Sequence, residues 1–243
     1  MYHSTSVMTP LIKVIIPAYN EQDSIGHVLR DIPSIVSEVI VVSNASTDNT
    51  EQVARDHGAT VLKEVRRGYG YACLKGMEYI ATTAAQSDLE RPDIVVFLDG
   101  DYSDYPEELT KIVTPIMHGD YDMVIGARNK RFRESGSMTT PQIFGNWLAT
   151  TLMMLFFGAS FTDLGPFRAM KYDSLLALQM EDKTYGWTVE MQLKVLKKKM
   201  NYIEVPVTYR NRIGVSKVSG TVKGAVMAGV KILGWIFKYS FKK

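Results

Sequence analysis

Asp99-Gly100-Asp101 is the segment whose residue types point most directly to chemistry. It follows the apolar run Val95-Val96-Phe97-Leu98, so two carboxylates separated by one small residue stand at a strand end. Such a pair can converge on a hard cation or on its water shell. Mg2+ or Mn2+ suits oxygen ligands of this kind and bridges a diphosphate. The cation would neutralise charge developing on a departing diphosphate. The plain alternative is a solvated turn, because Asp and Gly are common turn residues.

The elements that must hold this pair form an alternation. Lys13 to Pro17 is a short apolar run, and Ile25, Val28, Leu29 and Ile32 then recur at helical spacing. Val39 to Val42 leads into the turn-rich segment Ser43 to Asp48, which can cap a helix near Thr50. Thr60 to Val65 and Asp93 to Leu98 read as further strands, with a helix marked by Cys73, Met77, Ile80 and Ala84 between them. Leu109, Ile112, Val113 and Ile116 mark another helix before the strand Met123 to Gly126. This pattern predicts an α/β fold, a mainly parallel sheet flanked by helices on both faces. Open parallel sheets collect ligands at the C-terminal ends of their strands. Four such ends carry polar or small residues: 17–21, 43–45, 66–68 and 99–101. That convergence predicts a nucleotide-sized pocket, and the absence of Gly-x-Gly-x-x-Gly after the first strand argues against a dinucleotide-binding fold.

Beyond residue 126 the pattern changes. Residues 129–141 are polar and read as a mobile loop, and Phe144 to Phe161 as an apolar helix. Tyr202 to Tyr209 reads as a strand whose Pro206 suits a sheet edge. At the C-terminus, Val222, Ala225, Val226, Gly229, Ile232, Leu233, Ile236 and Phe237 share one helical face. Lys223, Lys231, Lys238 and Lys242 lie opposite. Such a helix lies in a membrane interface with its lysines on anionic headgroups, or packs on the domain or on a second subunit in a homo-oligomer.

A length of 243 residues suits one large α/β domain, and a net charge of +2 argues against bulk nucleic-acid binding. A single cysteine, Cys73, excludes a disulfide framework and a cysteine zinc site. His3, His27, His57 and His118 show no ligand spacing. Neither a secretory signal in residues 1–10 nor an apolar run of about eighteen residues is visible. The expectation is a cytoplasmic protein, peripheral on the cytoplasmic face of a membrane if the last helix binds lipid.

Ile15-Ile16-Pro17-Ala18-Tyr19-Asn20-Glu21, Ser46-Thr47-Asp48, Gly68-Tyr69-Gly70 and Asp99-Gly100-Asp101 together resemble, in order, family 2 glycosyltransferases of the GT-A fold. Gly126-Ala127-Arg128, Asp163 to Arg168 and Arg212 to Lys217 are similar to the dolichyl-phosphate mannose synthase and polyprenyl-phosphate glycosyltransferase branch. The resemblance covers roughly residues 11–220, taken as the GT-A domain between a tail (1–10) and the C-terminal amphipathic helix (221–243).

The resemblance implies site roles. Pro17, Tyr19 and Glu21 border the nucleoside, with Asn44 and Asp48 near the base-binding turn and Ala18, Gly68 and Gly100 in the same nucleotide-sugar site. Asp99 faces the ribose or sugar-diphosphate, Asp101 is the principal metal ligand, and both count with Arg128 and Arg168 as the catalytic set. Arg128, Arg168, Arg212 and Lys217 surround the donor diphosphate or an acceptor phosphate, for which an arginine fork is suited. Ser103 stands where mannose synthases carry a glutamine, and Gln142 and Asn146 where they carry the arginine and serine of an acceptor-side Arg-x-x-x-Ser. Glu190 is a catalytic base or a charge complementing a helix N-terminus. The implied activity is an inverting, Mg2+- or Mn2+-dependent transfer of a hexose from a UDP- or GDP-sugar to a polyprenyl phosphate. The alternatives are the same donor chemistry on a soluble acceptor, and a catalytically silent nucleotide-sugar-binding scaffold.

Overall fold

The apolar runs become strands β1 (Ile12–Ala18), β2 (Glu38–Asn44), β3 (Thr60–Glu64), β4 (Ile94–Phe97) and β5 (Met123–Ala127), completed by β6 (Arg168–Lys171) and β7 (Tyr202–Pro206). The computed structural model describes residues 10–214 and 222–241. The strands form one sheet in the order β3-β2-β1-β4-β6-β5-β7. All neighbours run parallel except β6, which is antiparallel to both β4 and β5. The sequence hides β6: Arg-Ala-Met-Lys is too short and too polar for an apolar run, and its place is set by pairing Phe97 with Arg168. β7 lies at the edge, where Pro206 removes no ladder bond.

Alternate residues of each strand feed two layers, as a strand's period of two requires. Val14, Ile16, Val41 and Val96 meet α1 (Ile25–Asp31), α2 (Thr50–Asp56) and α4 (Leu109–His118). Ile15, Ile40, Val42 and Val95 meet α3 (Tyr69–Gln86), α5 (Thr140–Phe157), α6 (Tyr172–Leu178) and α7 (Trp187–Lys197). Cys73 is a buried member of that second layer. The last helix, α8 (Val222–Phe241), adds Trp235, Ile236 and Tyr239 to it, packing against α5 and α7.

One expectation changes, and one of two alternatives gains detail. Residues 129–141 are tied down: Glu134 N–H donates to Tyr209 O (2.8 Å), Tyr209 N–H to Phe132 O (3.1 Å), and Asn211 N–H to Glu134 Oε2 (2.8 Å). Two lysines of α8 have acidic partners within the domain: Lys231 pairs with Asp182 (3.2 Å), and Lys238 reaches Glu181 (3.9 Å) and stacks over Trp235; the Lys223 side chain and Lys242 lie outside the described residues. Among the described residues no helix is long and apolar enough to cross a membrane.

Candidate active site

Parallel pairing of β1 with β4 sets Ile15 beside Phe97, so the loop after β1 lies next to Asp99-Gly100-Asp101. Ser24 fastens the two loops, its hydroxyl contacting Gly100 O (2.8 Å) and Glu21 Oε2 (3.0 Å). Asp101 is held from both sides. Its Oδ1 accepts from Ser103 N–H (3.0 Å) and Ser103 Oγ (2.5 Å), and its Oδ2 lies 2.6 Å from Arg212 Nη1. Asp99 Oδ1 is enclosed without a hydrogen-bond partner, as is the neighbouring Tyr69 hydroxyl. Burial, then the charge of Asp101, pushes the Asp99 carboxyl up to about 7, against the pull of Arg212.

The segment after β7 folds across this turn. Ile213 N–H donates to Asp101 O (3.0 Å) and Arg210 N–H to Ser103 O (2.9 Å). The Arg210 guanidinium is layered between the rings of Tyr102 (3.5 Å) and Tyr105 (3.8 Å). Beneath it Asp104 is buried with neither carboxylate oxygen partnered, and burial first, then Asp99, raises its pKa well above the ordinary value.

On the β1–β3 side the predicted nucleoside residues form a braced rim. Asn20 Oδ1 accepts from Thr47 N–H (2.8 Å), and Asp48 accepts from Gln22 N–H (3.2 Å) and from Thr50 N–H (3.0 Å) as α2 begins. Asn44 joins β2 to the turn after β3, donating to Arg66 O (2.7 Å) and accepting from Gly68 N–H (2.8 Å). Gly68 has φ +151°, and a Cβ there would lie 2.2 Å from Lys183 O, so only glycine fits. Arg67 lies over the Tyr19 ring at 5.2 Å. Ala18 faces the core, while Pro17 is half-buried at the rim.

On the far side Arg128 forms a fork with Asp163 (2.8 and 2.7 Å), and both lie on a cavity of about 300 Å3 beside α5. Arg168 stays out of the cleft. It is 0% exposed and donates to the carbonyls of Leu164, Gly165 and Thr188, which fixes the 164–168 turn; burial lowers its pKa to about 10. Gln142 completes the capping box of α5 with Thr139. Asn146 donates to Thr162 O (2.9 Å) and accepts from Leu164 N–H (2.8 Å). Glu190 is fully buried, accepting from Glu181 and Asp182 N–H and paired with Lys194, which makes it an anchor of the 181–182 turn. Lys217 lies outside the described residues.

Residues 13–178 match the Glycosyl transferase family 2 model, well over half of the chain. The chain belongs to glycosyl transferase family 2. Among relatives of this glycosyltransferase, undecaprenyl-phosphate mannosyltransferase of Micrococcus luteus is 30% identical over 90% of this chain and 92% of its own. The low-salt glycan biosynthesis hexosyltransferase Agl6 of Haloferax volcanii is 27% identical over 90% of this chain, which spans 52% of that longer protein. Glucosyl-3-phosphoglycerate synthase of Mycobacterium tuberculosis, solved with Mn2+, UDP and phosphoglyceric acid, superposes with a TM-score of 0.73. At 22% identity over 96% of this chain and 80% of its own, that likeness is one of fold, the GT-A fold.

The glycosyltransferase's acidic turn fits a hard divalent cation. Asp99 Oδ1 and both Asp104 oxygens lack donors, a surplus of oxygen acceptors suited to Mg2+ or Mn2+. Among the described residues no three acidic, histidine or cysteine side chains converge into a self-sufficient metal site. A cation held here would need phosphate oxygens or water to complete its shell, a mode common for Mg2+. Asp104, Asp163 and Arg210 escape a reading of the sequence. Asp163 stood inside a motif without a role, and the other two depend on a long-range crossing that no local spacing encodes.

Proposed function

We propose that this glycosyltransferase moves a hexose from a UDP- or GDP-sugar to a polyprenyl phosphate at the cytoplasmic face of a membrane, with inversion at the anomeric carbon. The observation that carries the reading is Arg212 against Asp101 at the end of β4, flanked by a basic cavity that borders the exposed apolar face of α5. The names of relatives such as undecaprenyl-phosphate mannosyltransferase support the acceptor class.

A bound Mg2+ or Mn2+, held by Asp101 with Asp99 beside it, would supply charge to a departing diphosphate. Arg212, adjacent to the same carboxylate, offers that diphosphate a guanidinium fork. The acceptor phosphate oxygen forms its bond to the anomeric carbon as the bond to the donor diphosphate breaks on the opposite face. The acceptor is already an anion, so no general base is required, consistent with Glu190 serving as an anchor. Positioning and charge stabilisation supply the rate.

The test is transfer of radiolabelled sugar from a panel of UDP- and GDP-sugars into an organic-extractable product, with polyprenyl phosphate and Mn2+ or Mg2+. Metal-dependent lipid label that Asp101→Ala abolishes is the expected result. Donor consumption without lipid label would move the acceptor into water, and binding without turnover would make the protein a scaffold.

A further inference from the structure

The cavity beside α5 carries more positive charge than its own residues cancel. Arg128, Lys130 and Arg133 line it, with Asp163 as the single carboxylate among its lining residues. The Arg128–Asp163 fork neutralises itself. Lys130 and Arg133 have no carboxylate partner among the described residues, and the Arg133 guanidinium rests on Met138 Sδ, a weak acceptor, at 3.3 Å. Two uncompensated cations match the charge of a phosphate monoester, about −1.5 to −2 near neutral pH.

The wall of the cavity continues into an apolar ramp. Ile143 lines it, and Phe144 and Trp147, each 58% exposed, follow on the first turns of α5. Met154 and Leu155 extend the exposed stripe along the same helix. The amides that the sequence resemblance assigns to the acceptor are committed elsewhere, Gln142 to the helix cap and Asn146 to the 162–164 turn.

We propose that Lys130 and Arg133, in place of Gln142 and Asn146, hold the phosphate of the acceptor, whose apolar chain leaves along Ile143, Phe144 and Trp147. The assignment rests on the polyprenyl-phosphate reading given above. It places the acceptor's two chemical parts on two elements, the head on the segment after β5 and the chain on α5. A soluble phosphate monoester would use the first part alone.

The test is a binding titration of the full chain with farnesyl phosphate, farnesol and glycerol 3-phosphate, with UDP affinity as the measure of an intact fold. Lys130→Gln/Arg133→Gln is expected to weaken farnesyl phosphate at least about tenfold, the loss of charge-assisted contacts to a phosphate. Phe144→Ser/Trp147→Ser is expected to weaken farnesyl phosphate and leave glycerol 3-phosphate unchanged. Farnesyl phosphate bound equally well by the Lys130/Arg133 double variant and the wild type overturns the proposal, as does a wild type that binds neither phosphate. If both phosphates bind equally through Lys130 and Arg133, the head subsite stands and the chain path falls. If farnesyl phosphate binds through these residues yet receives no sugar, the site stands and the polyprenyl-phosphate function falls.

Discussion

Arg212 Nη1 lies 2.6 Å from Asp101 Oδ2, so the carboxylate best placed for a metal already holds a cation of the chain's own. Were Asp101 to hold a divalent ion, as proposed, Arg212 would have to share or give up that oxygen and its guanidinium would become available to phosphate. Arg212→Gln is therefore expected to bind Mn2+ alone more tightly, by about threefold to tenfold, and UDP with Mn2+ about tenfold more weakly. Electron paramagnetic resonance of free Mn2+ and a UDP titration read the two separately. Unchanged Mn2+ affinity would show that the arginine does not compete.

Asp99 makes stability depend on pH with a definite sign. Its pKa rises from the usual 3.8 to about 7 on folding, mainly through burial. Its contribution is fully present below about pH 4 and is lost as pH rises through about 7, because the folded state holds the proton that the unfolded state releases. In metal-free buffer with chelator, Asp99→Asn is expected to show a shallower fall in melting temperature between pH 4 and 7 than the wild type. Parallel curves for the two proteins would remove Asp99 as the cause.

Much of this architecture is legible in the sequence because it is local. Apolar runs such as Val39 to Val42 and helical spacings such as Leu109, Ile112 and Val113 report burial directly, and they become β2 and α4 as read. The acidic turn is legible for the same reason, since a strand ending in Asp99-Gly100-Asp101 delivers its carboxylates to the sheet's C-terminal edge, where the crossing segment after β7 then covers them. What stays hidden depends on distant partners. Arg168 has the same residue type as Arg212, yet one is buried against carbonyls and the other meets Asp101, a difference set by the antiparallel insertion of β6. The segment 129–141 reads as a mobile loop because its polarity is visible, whereas its anchors, Tyr209 and Asn211, lie beyond three further helices.

The Arg128–Asp163 fork is expected to behave as a buried pair. Both side chains are largely enclosed, 11% and 6% exposed, and Arg128 N–H also donates to Asp163 Oδ2 (2.8 Å). Arg128→Met strands a buried carboxylate and is expected to cost about 3–5 kcal/mol. At this chain length that lowers the melting temperature by roughly 10 °C. Arg128→Met/Asp163→Leu should recover most of the loss, since the stranded charge goes with its partner. A calorimetric double-mutant cycle checks this, and additive losses would show that the two residues do not act as a pair.

The proposed membrane contact should be driven by apolar surface with little help from charge. Phe144, Trp147, Met154, Leu155 and Phe156 of α5 stand 46–69% exposed, and Phe237 of α8 meets Phe156 edge to face at 5.9 Å. This outer surface differs from the inner face of α8 that packs Trp235, Ile236 and Tyr239. Two lysines that the helical pattern offers to headgroups are engaged with Asp182 and Glu181, which reduces their pull on an anionic surface. Partition into phosphatidylcholine vesicles is therefore expected to survive a rise in salt that would screen exposed charges. Phe144→Ser/Trp147→Ser should lower it by at least about tenfold, since burying one large apolar side chain contributes about 1.5–3 kcal/mol. The same variant should melt within a degree or two of the wild type, because exposed positions contribute little to the fold. Sedimentation with vesicles at low and high salt decides the matter: binding that needs anionic lipid and vanishes with salt would place the contact on the lysines and away from α5.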